Sequence, residues 1–324
     1  MKQLIYKEVF SIAQDILHVY LTLLKIMIPA LLIVKGLELA GAIEWLSILL
    51  EPVMSAVGLP SSMGIVWATT MLTNIYGGMI IFFELSSNES LSVAQVTVLG
   101  CMMLIAHGLP VEAAIAKKAG VRLRATLCIR IFGALIFGAL LHFIYQESGY
   151  LQQTNILLWQ PDLVKPTLVE WCVEQIKTLA MVFLIISALI FLLRLLKWLH
   201  IERLMHWLLS PLLILLGLSK QASNITIIGI TLGLSFGGGL LIKEAESGAL
   251  SSKDIFVSMA LLALCHSLIE DTLLIMVLGA HLSGILWGRL AFTLVFVSLM
   301  SHLLNWNKGS LSYRFCINEL PKRE

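Results

Sequence analysis

The chain repeats itself at an offset of 159 residues, the difference between positions 211 and 52, and this repeat constrains its fold more than any other feature. Positions joined by the offset carry the same or a chemically similar residue. The matched pairs are Pro52 with Pro211, Gly58 with Gly217, Leu59 with Leu218, Ser92 with Ser251, His107 with His266, Glu112 with Asp271, and Gly120 with Gly279. A long internal repeat in a very apolar chain is typical of membrane proteins in which two copies of one unit face each other around a central site.

The composition indicates a lipid bilayer as the environment of the chain. Of its 324 residues, 58% are hydrophobic and only 13% are charged, whereas about a quarter of an ordinary soluble domain is charged. A helix needs ~20 mostly apolar residues to cross the ~30 Å hydrocarbon core. Stretches of this kind are 16–40, 62–84, 93–119, 123–145, 167–195, 222–242, 253–280 and 283–306. The sequence therefore predicts an all-α polytopic membrane protein.

The cysteines do not indicate a disulfide framework or a zinc site. The chain has five of them, without a CxxC spacing, and most lie within the apolar stretches. No cofactor is expected from the sequence.

The placement of the basic residues predicts the topology. Most of the 22 lysines and arginines fall in four segments, 2–7, 117–130, 194–203 and 308–323. Because cytoplasmic loops are enriched in lysine and arginine, both termini and the segments 117–124 and 194–203 are predicted to be cytoplasmic. The long segment 146–166 is then extracytoplasmic. We expect a multi-pass protein of the bacterial cytoplasmic (inner) membrane.

The same charges predict that the two copies are inverted with respect to the membrane. The basic segment 117–122 corresponds to 276–281, which has no lysine or arginine, and the end of the first long stretch lies on the opposite side from its counterpart. Inverted copies are related by a pseudo-two-fold axis in the membrane plane. The predicted organisation is a first repeat at 1–145, an extracytoplasmic connecting loop at 146–166, a second repeat at 167–306 and a cytoplasmic basic tail at 307–324, with about five helical segments in each repeat.

Two places in each copy favour broken or re-entrant helices. The first is Thr73–Gly78, answered by Ser235–Gly239, where glycines destabilise a helix interior by about 1 kcal/mol each. The second is 107–112, where Pro110 removes a backbone donor. Its counterpart 266–271 has no proline, so we expect that helix to continue without a break. His266 and Glu270, four residues apart, would then share one helix face.

Each copy also carries a histidine and one or two carboxylates within an otherwise apolar stretch. A charge near the bilayer centre costs at least about 2.5–3.5 kcal/mol, so such residues are candidates for function. The candidate substrate-binding residues are His107, Glu112, His266, Glu270, Asp271, Asn74, Gly77, Gly78, Gly237 and Gly238. Other interpretations stay open: the histidines as hydrogen-bond partners between helices, Glu112 as a partner of Lys117, and the glycines as sites of close helix packing.

Two segments carry a resemblance to a known family. The segment 66–78 reads VWATTMLTNIYGG and the segment 106–112 reads AHGLPVE. Together they resemble bacterial membrane proteins with the nucleoside recognition, or Gate, domain, which is distantly similar to spore maturation proteins A and B, the concentrative nucleoside transporters and the membrane half of ferrous-iron transporter B. The resemblance covers nearly the whole chain as two Gate-like copies. It implies inverted repeats, re-entrant hairpins and alternating access around a site at the membrane midplane.

The chain also departs from parts of that superfamily. It has no GxxxxGK[ST] phosphate loop, whereas the iron transporter carries a GTPase. Its broken segments read His-Gly-Leu-Pro and His-Ser-Leu-Ile rather than a cysteine–proline pattern.

The function predicted from the sequence is a secondary transporter or permease of a small solute that the sequence does not identify. One alternative is a divalent-cation permease that uses the intramembrane histidines and carboxylates. Another is a membrane scaffold or assembly factor that does not transport. An enzyme is not expected, since the chain has no HExxH motif. The expected partners are membrane lipids, a small solute or ion and a second copy of the chain, and no nucleic acid.

Overall fold

A computed structural model describes residues 2–86, 89–157, 167–199, 201–306 and Cys316. In that part of the chain the regular elements are all helices. The first copy comprises α1 Lys2–Leu39, α2 Ala42–Ala56, α3 Met63–Leu72, α4 Ile75–Ser86, α5 Val93–Ile105, α6 Leu109–Lys118 and α7 Leu123–Ser148. The second comprises α8 Leu168–Trp198, α9 Ile201–Leu215, α10 Lys220–Leu232, α11 Leu234–Ser247, α12 Ser252–Cys265, α13 Glu270–Met276 and α14 Arg289–Trp306. A π-helical turn at Ser283–Gly288 lies between α13 and α14.

The helices of the two copies follow each other in the same order. The bounds of α2 and α9 differ by 159 residues at both ends, which is the offset of the sequence repeat. Within the described residues each copy has seven α-helices instead of the expected five or so segments, because the apolar stretches 62–84 and 93–119 and their counterparts each divide into two helices. The helix α7 extends to Ser148, so the connection between the copies begins three residues later than expected. Residues 158–166 of that connection, and the tail apart from Cys316, lie outside the described residues.

Six helical segments within the described residues are long and apolar enough to cross a membrane. They are Ile12–Leu39, Val93–Lys118, Leu123–Ser148, Leu168–Leu196, Ser252–Met276 and Ser283–His302. The segments Val93–Lys118 and Ser252–Met276 are 78% and 72% buried inside the protein, whereas Leu168–Leu196 is 18% buried. The two broken segments therefore form the centre of the molecule, and the unbroken ones surround it.

Equivalent serines start the two central segments. The Ser92 hydroxyl accepts a hydrogen bond from the Gln95 backbone N–H at 3.2 Å, and the Ser251 hydroxyl accepts one from the Asp254 N–H at 3.0 Å. A side-chain oxygen at this position satisfies a backbone donor that the first turn of a helix leaves free. The sequence thus determines the start of α5 and of α12 in the same way.

The first helix break of each copy occurs at equivalent positions. The chain leaves the helix at Thr73 and Asn74, between α3 and α4, and again at Gly233, between α10 and α11, where the φ angle is +93°. The expected break over Ser235–Gly239 is wrong, since these residues belong to α11. Likewise, Gly77 lies inside α4. A glycine provides the left-handed backbone at Gly233 without a steric penalty.

The two copies contact each other reciprocally. Helix α12 packs against α7, and α5 packs against the π-helical turn that occupies the position equivalent to the start of α7. The Tyr20 hydroxyl in α1 donates a hydrogen bond to the Leu179 carbonyl in α8 at 3.1 Å, across the repeat offset of 159 residues. These contacts join helices whose sequence positions are related by the repeat offset.

Candidate functional site

The site lies where the second helix break of one copy meets that of the other. His107 follows α5, and the next residue, Gly108, has a φ of +54°. His266 directly follows α12, and the next residue, Ser267, has a φ of +44°. The two histidines therefore occupy equivalent positions in equivalent breaks.

The expectation of a continuous helix over 266–271 is wrong. Helix α12 ends at Cys265 and α13 begins at Glu270. Ser267 adopts a left-handed backbone, and the Leu268 N–H donates to the Ile230 carbonyl of α10 at 2.8 Å instead of to its own helix. A backbone hydrogen bond to a neighbouring helix thus ends α12 where proline is absent. His266 and Glu270 consequently do not share a helix face.

The two imidazole rings are in direct contact. The Nε2 atoms of His107 and His266 are 3.0 Å apart, and the ring centroids are 4.8 Å apart. His107 Nδ1 is 3.0 Å from the Met103 carbonyl and His266 Nδ1 is 2.7 Å from the Leu262 carbonyl. A carbonyl oxygen can only accept a hydrogen bond, so each Nδ1 carries the proton and donates it. In the neutral rings both Nε2 atoms then present a lone pair to each other.

Two carboxylates face the same pair of nitrogens. Glu112 Oε1 is 3.0 Å from His107 Nε2 and 3.5 Å from His266 Nε2. Asp271 is the residue equivalent to Glu112 in the other copy, and its Oδ2 atom is 4.0 Å from each Nε2. All four side chains are buried, with residue exposures of 5–8%. The centre therefore collects nitrogen and oxygen atoms that accept hydrogen bonds.

Two buried arginines flank this centre. Arg130 in α7 forms an ion pair with Glu112 and donates from Nε to the Ile105 carbonyl at 2.8 Å. Arg289, at the equivalent position, donates from Nη2 to the Thr272 hydroxyl at 3.4 Å. Both residues are fully buried.

Arg130, which was counted with the basic residues 117–130, is therefore not a loop charge. Its charge is held inside the protein by Glu112, and the interpretation of Glu112 as a partner of Lys117 fails for the same reason. The sequence contained a signal for this role, because the repeat offset joins Arg130 to Arg289. Counting charges by segment does not reveal it, since a count gives the position of a charge along the chain but not its partner.

Glu270 lies beside the centre. It begins α13 next to Asp271 and is half-buried. Among the described residues, the carboxylate of Glu270 is not in contact with either imidazole ring. Glu270 is therefore not part of the cluster of four side chains. The structure thus brings together His107, Glu112, His266 and Asp271, and leaves Glu270 at their edge.

The remaining candidate residues belong to the first helix breaks. The Asn74 side-chain oxygen accepts a hydrogen bond from the Gly77 N–H at 2.8 Å and so caps the start of α4. A methyl group at Gly78 would meet the Thr70 side chain, and one at Gly238 would meet Ile115. A methyl group at Gly237 would meet the Gly229 backbone. The described contacts of these residues serve helix capping and close packing.

The two breaks of each copy also touch. The Gly108 N–H donates to the Thr70 carbonyl at 3.0 Å, and in the second copy the Ser267 hydroxyl lies near Gly233. The first breaks therefore support the second breaks, which carry the histidines.

One hydrolase motif occurs in the chain. Residues Gly233–Gly237 read GLSFG and match the GxSxG pattern. In serine hydrolases this pattern forms a sharp turn between a strand and a helix. Here the segment joins two helices, α10 and α11, so its structural context is not that of a nucleophile elbow.

The fold and the buried polar centre define an all-α polytopic membrane protein. Over 293 residues the chain is 29% identical to a protein of Bacillus subtilis (strain 168) described as the uncharacterized membrane protein YvoD. The similarity covers 89% of this chain and 91% of that protein. No family model matches the chain. No solved structure matches it significantly.

Proposed function

We propose that this chain is a secondary transporter or permease of the bacterial cytoplasmic membrane, with a small solute or ion as its substrate. The observation that carries the proposal is the meeting of two equivalent helix breaks at one buried polar centre, where His107 and His266 touch. In many transporters the substrate site lies between two repeats and is formed by interrupted helices. The resemblance to Gate-domain proteins supports the same conclusion.

The cost of burying these groups supports a functional role. Backbone groups released by a helix break need protein or water partners, so breaks persist in membrane proteins only where they are buried or line a cavity. Intramembrane acidic residues and histidines are rare and mark substrate or ion pathways. The centre of this chain combines both features, and its residues occupy sequence positions that the repeat offset joins. A scaffold would have no need of either.

Alternating access is the mechanism that this architecture favours. We propose that the copies are inverted, with both termini cytoplasmic and residues 149–157 extracytoplasmic. Rocking of one copy against the other would then open the centre first to one side and then to the other. The histidines are 5–7% exposed, which corresponds to a closed centre. An enzymatic activity is not part of this proposal.

The proposal is tested by the two-sided accessibility of the centre. Ser267 follows His266 and is buried, and cysteine is close to serine in size. We expect a Ser267→Cys variant, in a protein without its native cysteines, to react with a membrane-impermeant thiol reagent from either side of sealed membranes. Reaction from both sides is expected because each state of the transport cycle exposes the centre to one side.

The matched control is Ser258→Cys in the same helix segment. Ser258 is fully buried and its hydroxyl lies 2.8 Å from that of Thr226 in α10, away from the histidines. This variant should stay unreactive from both sides. Reaction of Ser267→Cys from one side only, or from neither, would exclude alternating access and favour a scaffold.

A further inference from the structure

We propose that His107, His266, Glu112 and Asp271 bind one divalent transition-metal ion between the two copies. The proposal rests on the proposed function only in taking this ion as the transported substrate. The binding site itself is argued from the contacts of the four side chains.

The first argument is the protonation of the two rings. Both Nδ1 atoms donate to backbone carbonyls, so both Nε2 atoms are acceptors in the neutral histidines. Two lone pairs at 3.0 Å repel each other unless a cation lies between them. Glu112 adds a further acceptor oxygen at 3.0 Å from His107 Nε2. The three acceptor atoms therefore face one another at distances that a bound cation would relieve.

The second argument is the spacing of these atoms. Transition metals bind histidine nitrogens and carboxylate oxygens at about 2.0–2.2 Å. Two such ligands, at angles of about 90–110° around one ion, lie roughly 2.9–3.5 Å apart. The Nε2–Nε2 distance is 3.0 Å, and the distances from Glu112 Oε1 to the two nitrogens are 3.0 and 3.5 Å. All three match ligands of a common ion.

The fourth side chain completes the donor set. Asp271 Oδ2 is buried and has no hydrogen-bond partner among the described residues. Its oxygen and the two histidine nitrogens lie within 4.8 Å of one another. Glu112 forms an ion pair with Arg130, whereas the ion pairs of Asp271 among the described residues are with the two histidines, so its carboxylate oxygen can bind the ion. Asp271 Oδ2 lies 4.0 Å from each Nε2, beyond the spacing of two ligands of one ion, so we expect this side chain to move closer when the ion binds.

The donor types select the class of metal. Imidazole nitrogens suit zinc, iron, nickel and copper, whereas magnesium and calcium require mainly oxygen ligands. The backbone carbonyls of Met103 and Leu262 hold the rings through their Nδ1–H groups, which turns both Nε2 atoms toward the centre. We therefore infer a transition metal and not an alkaline-earth ion.

A single shared proton is the competing occupant, since it also relieves the contact of two lone pairs. The two occupants can be distinguished by how the site responds to pH and to added Zn²⁺. A proton site responds to pH alone, whereas a metal site binds Zn²⁺ in a fixed ratio at constant pH.

The experiment is a titration of the purified full-length protein in detergent with Zn²⁺ by calorimetry. We expect one Zn²⁺ per chain, no binding of Mg²⁺, and a characteristic absorption spectrum when Co²⁺ is used as a spectroscopic probe. His107→Ala and His266→Ala should each weaken Zn²⁺ binding at least about 100-fold, beyond the 10–100-fold cost of losing an outer partner of a ligand. Asp271→Asn, which keeps the side-chain volume, should weaken binding without removing the histidines.

The matched control is His206→Ala. His206 is exposed on α9, and its Nε2 lies 2.9 Å from the Asn224 side-chain oxygen. This variant should bind Zn²⁺ as the unaltered protein does. Absence of Zn²⁺ and Co²⁺ binding by the folded protein, or unchanged affinity in both histidine variants, would overturn the proposal.

The outcomes for transport and for metal binding are separable. Metal binding with one-sided labelling of Ser267→Cys would keep the metal site and exclude alternating access. Two-sided labelling without metal binding would keep the transporter and exclude the metal as its substrate.

Discussion

Arg130 and Arg289 are fully buried at positions related by the repeat, yet only the first forms an ion pair with a carboxylate among the described residues. Arg130 pairs with Glu112. Arg289 contacts the Thr272 hydroxyl and the Cys265 side chain instead, although Asp271 is the equivalent of Glu112. The two copies thus carry equivalent arginines and carboxylates, but these residues are paired differently in each copy.

This difference predicts unequal stability effects for the two arginines. Arg130→Met should lower the free energy of unfolding in detergent by about 3–5 kcal/mol, because Glu112 is left buried without its partner. Arg289→Met breaks no ion pair with a carboxylate of the described residues and should cost clearly less.

The double variant Arg130→Met with Glu112→Gln provides the control. Removing the unpaired carboxylate should restore most of the lost stability, as measured by the same unfolding transition. Equal losses in the two arginine variants would contradict the role of the Arg130–Glu112 pair.

The contact between the histidines predicts that they act as a unit. His107→Ala and His266→Ala should each weaken substrate or ion binding at least about 100-fold while the amount of protein in the membrane stays near normal. The double variant should be no worse than either single variant, since residues that share one function do not have additive effects. Full binding in both single variants would assign the histidines to packing alone.

The glycines of α11 predict a second pair of contrasting variants. Gly237→Ala should lower the midpoint of thermal unfolding, because its methyl group would meet the backbone of Gly229 in α10, which cannot move aside as a side chain can. Gly239→Ala has no heavy atom within 4 Å of the new methyl group. It should leave the midpoint unchanged or raise it, since alanine favours a helix by about 1 kcal/mol over glycine.

The topology predicts opposite accessibility at the two ends of α7. Lys118 is exposed at the end of α6, and Ile156 is 87% exposed beyond the end of α7. In intact cells, and in a protein without its native cysteines, a membrane-impermeant thiol reagent should label Ile156→Cys and not Lys118→Cys. After the membrane is opened, both should react. Labelling of both positions in intact cells would contradict a single crossing by α7 and, with it, the inverted arrangement.

Much of the architecture follows from the sequence because it depends on local chemistry. The apolar composition predicts the membrane, and serine capping determines the start of α5 and α12 in both copies. The repeat offset identifies His107 and His266 as equivalent residues before any contact between them is known. A repeat requires only comparison along the chain, so no tertiary structure is needed to find it.

Other features arise only when helices pack. The segment 266–271 contains no proline or glycine that would predict the break after His266. The break instead accompanies a hydrogen bond from the Leu268 N–H to the Ile230 carbonyl of another helix. The partner of Arg130 is likewise decided by the packing of α7 against α6, because a sequence specifies a charge but not the distance to its counter-charge. The sequence by itself determined a membrane protein with an internal repeat, in which His107 and His266 are equivalent residues. Only the tertiary structure brought the two Nε2 atoms to 3.0 Å, since that distance depends on how two helix breaks, far apart in the chain, meet in the core.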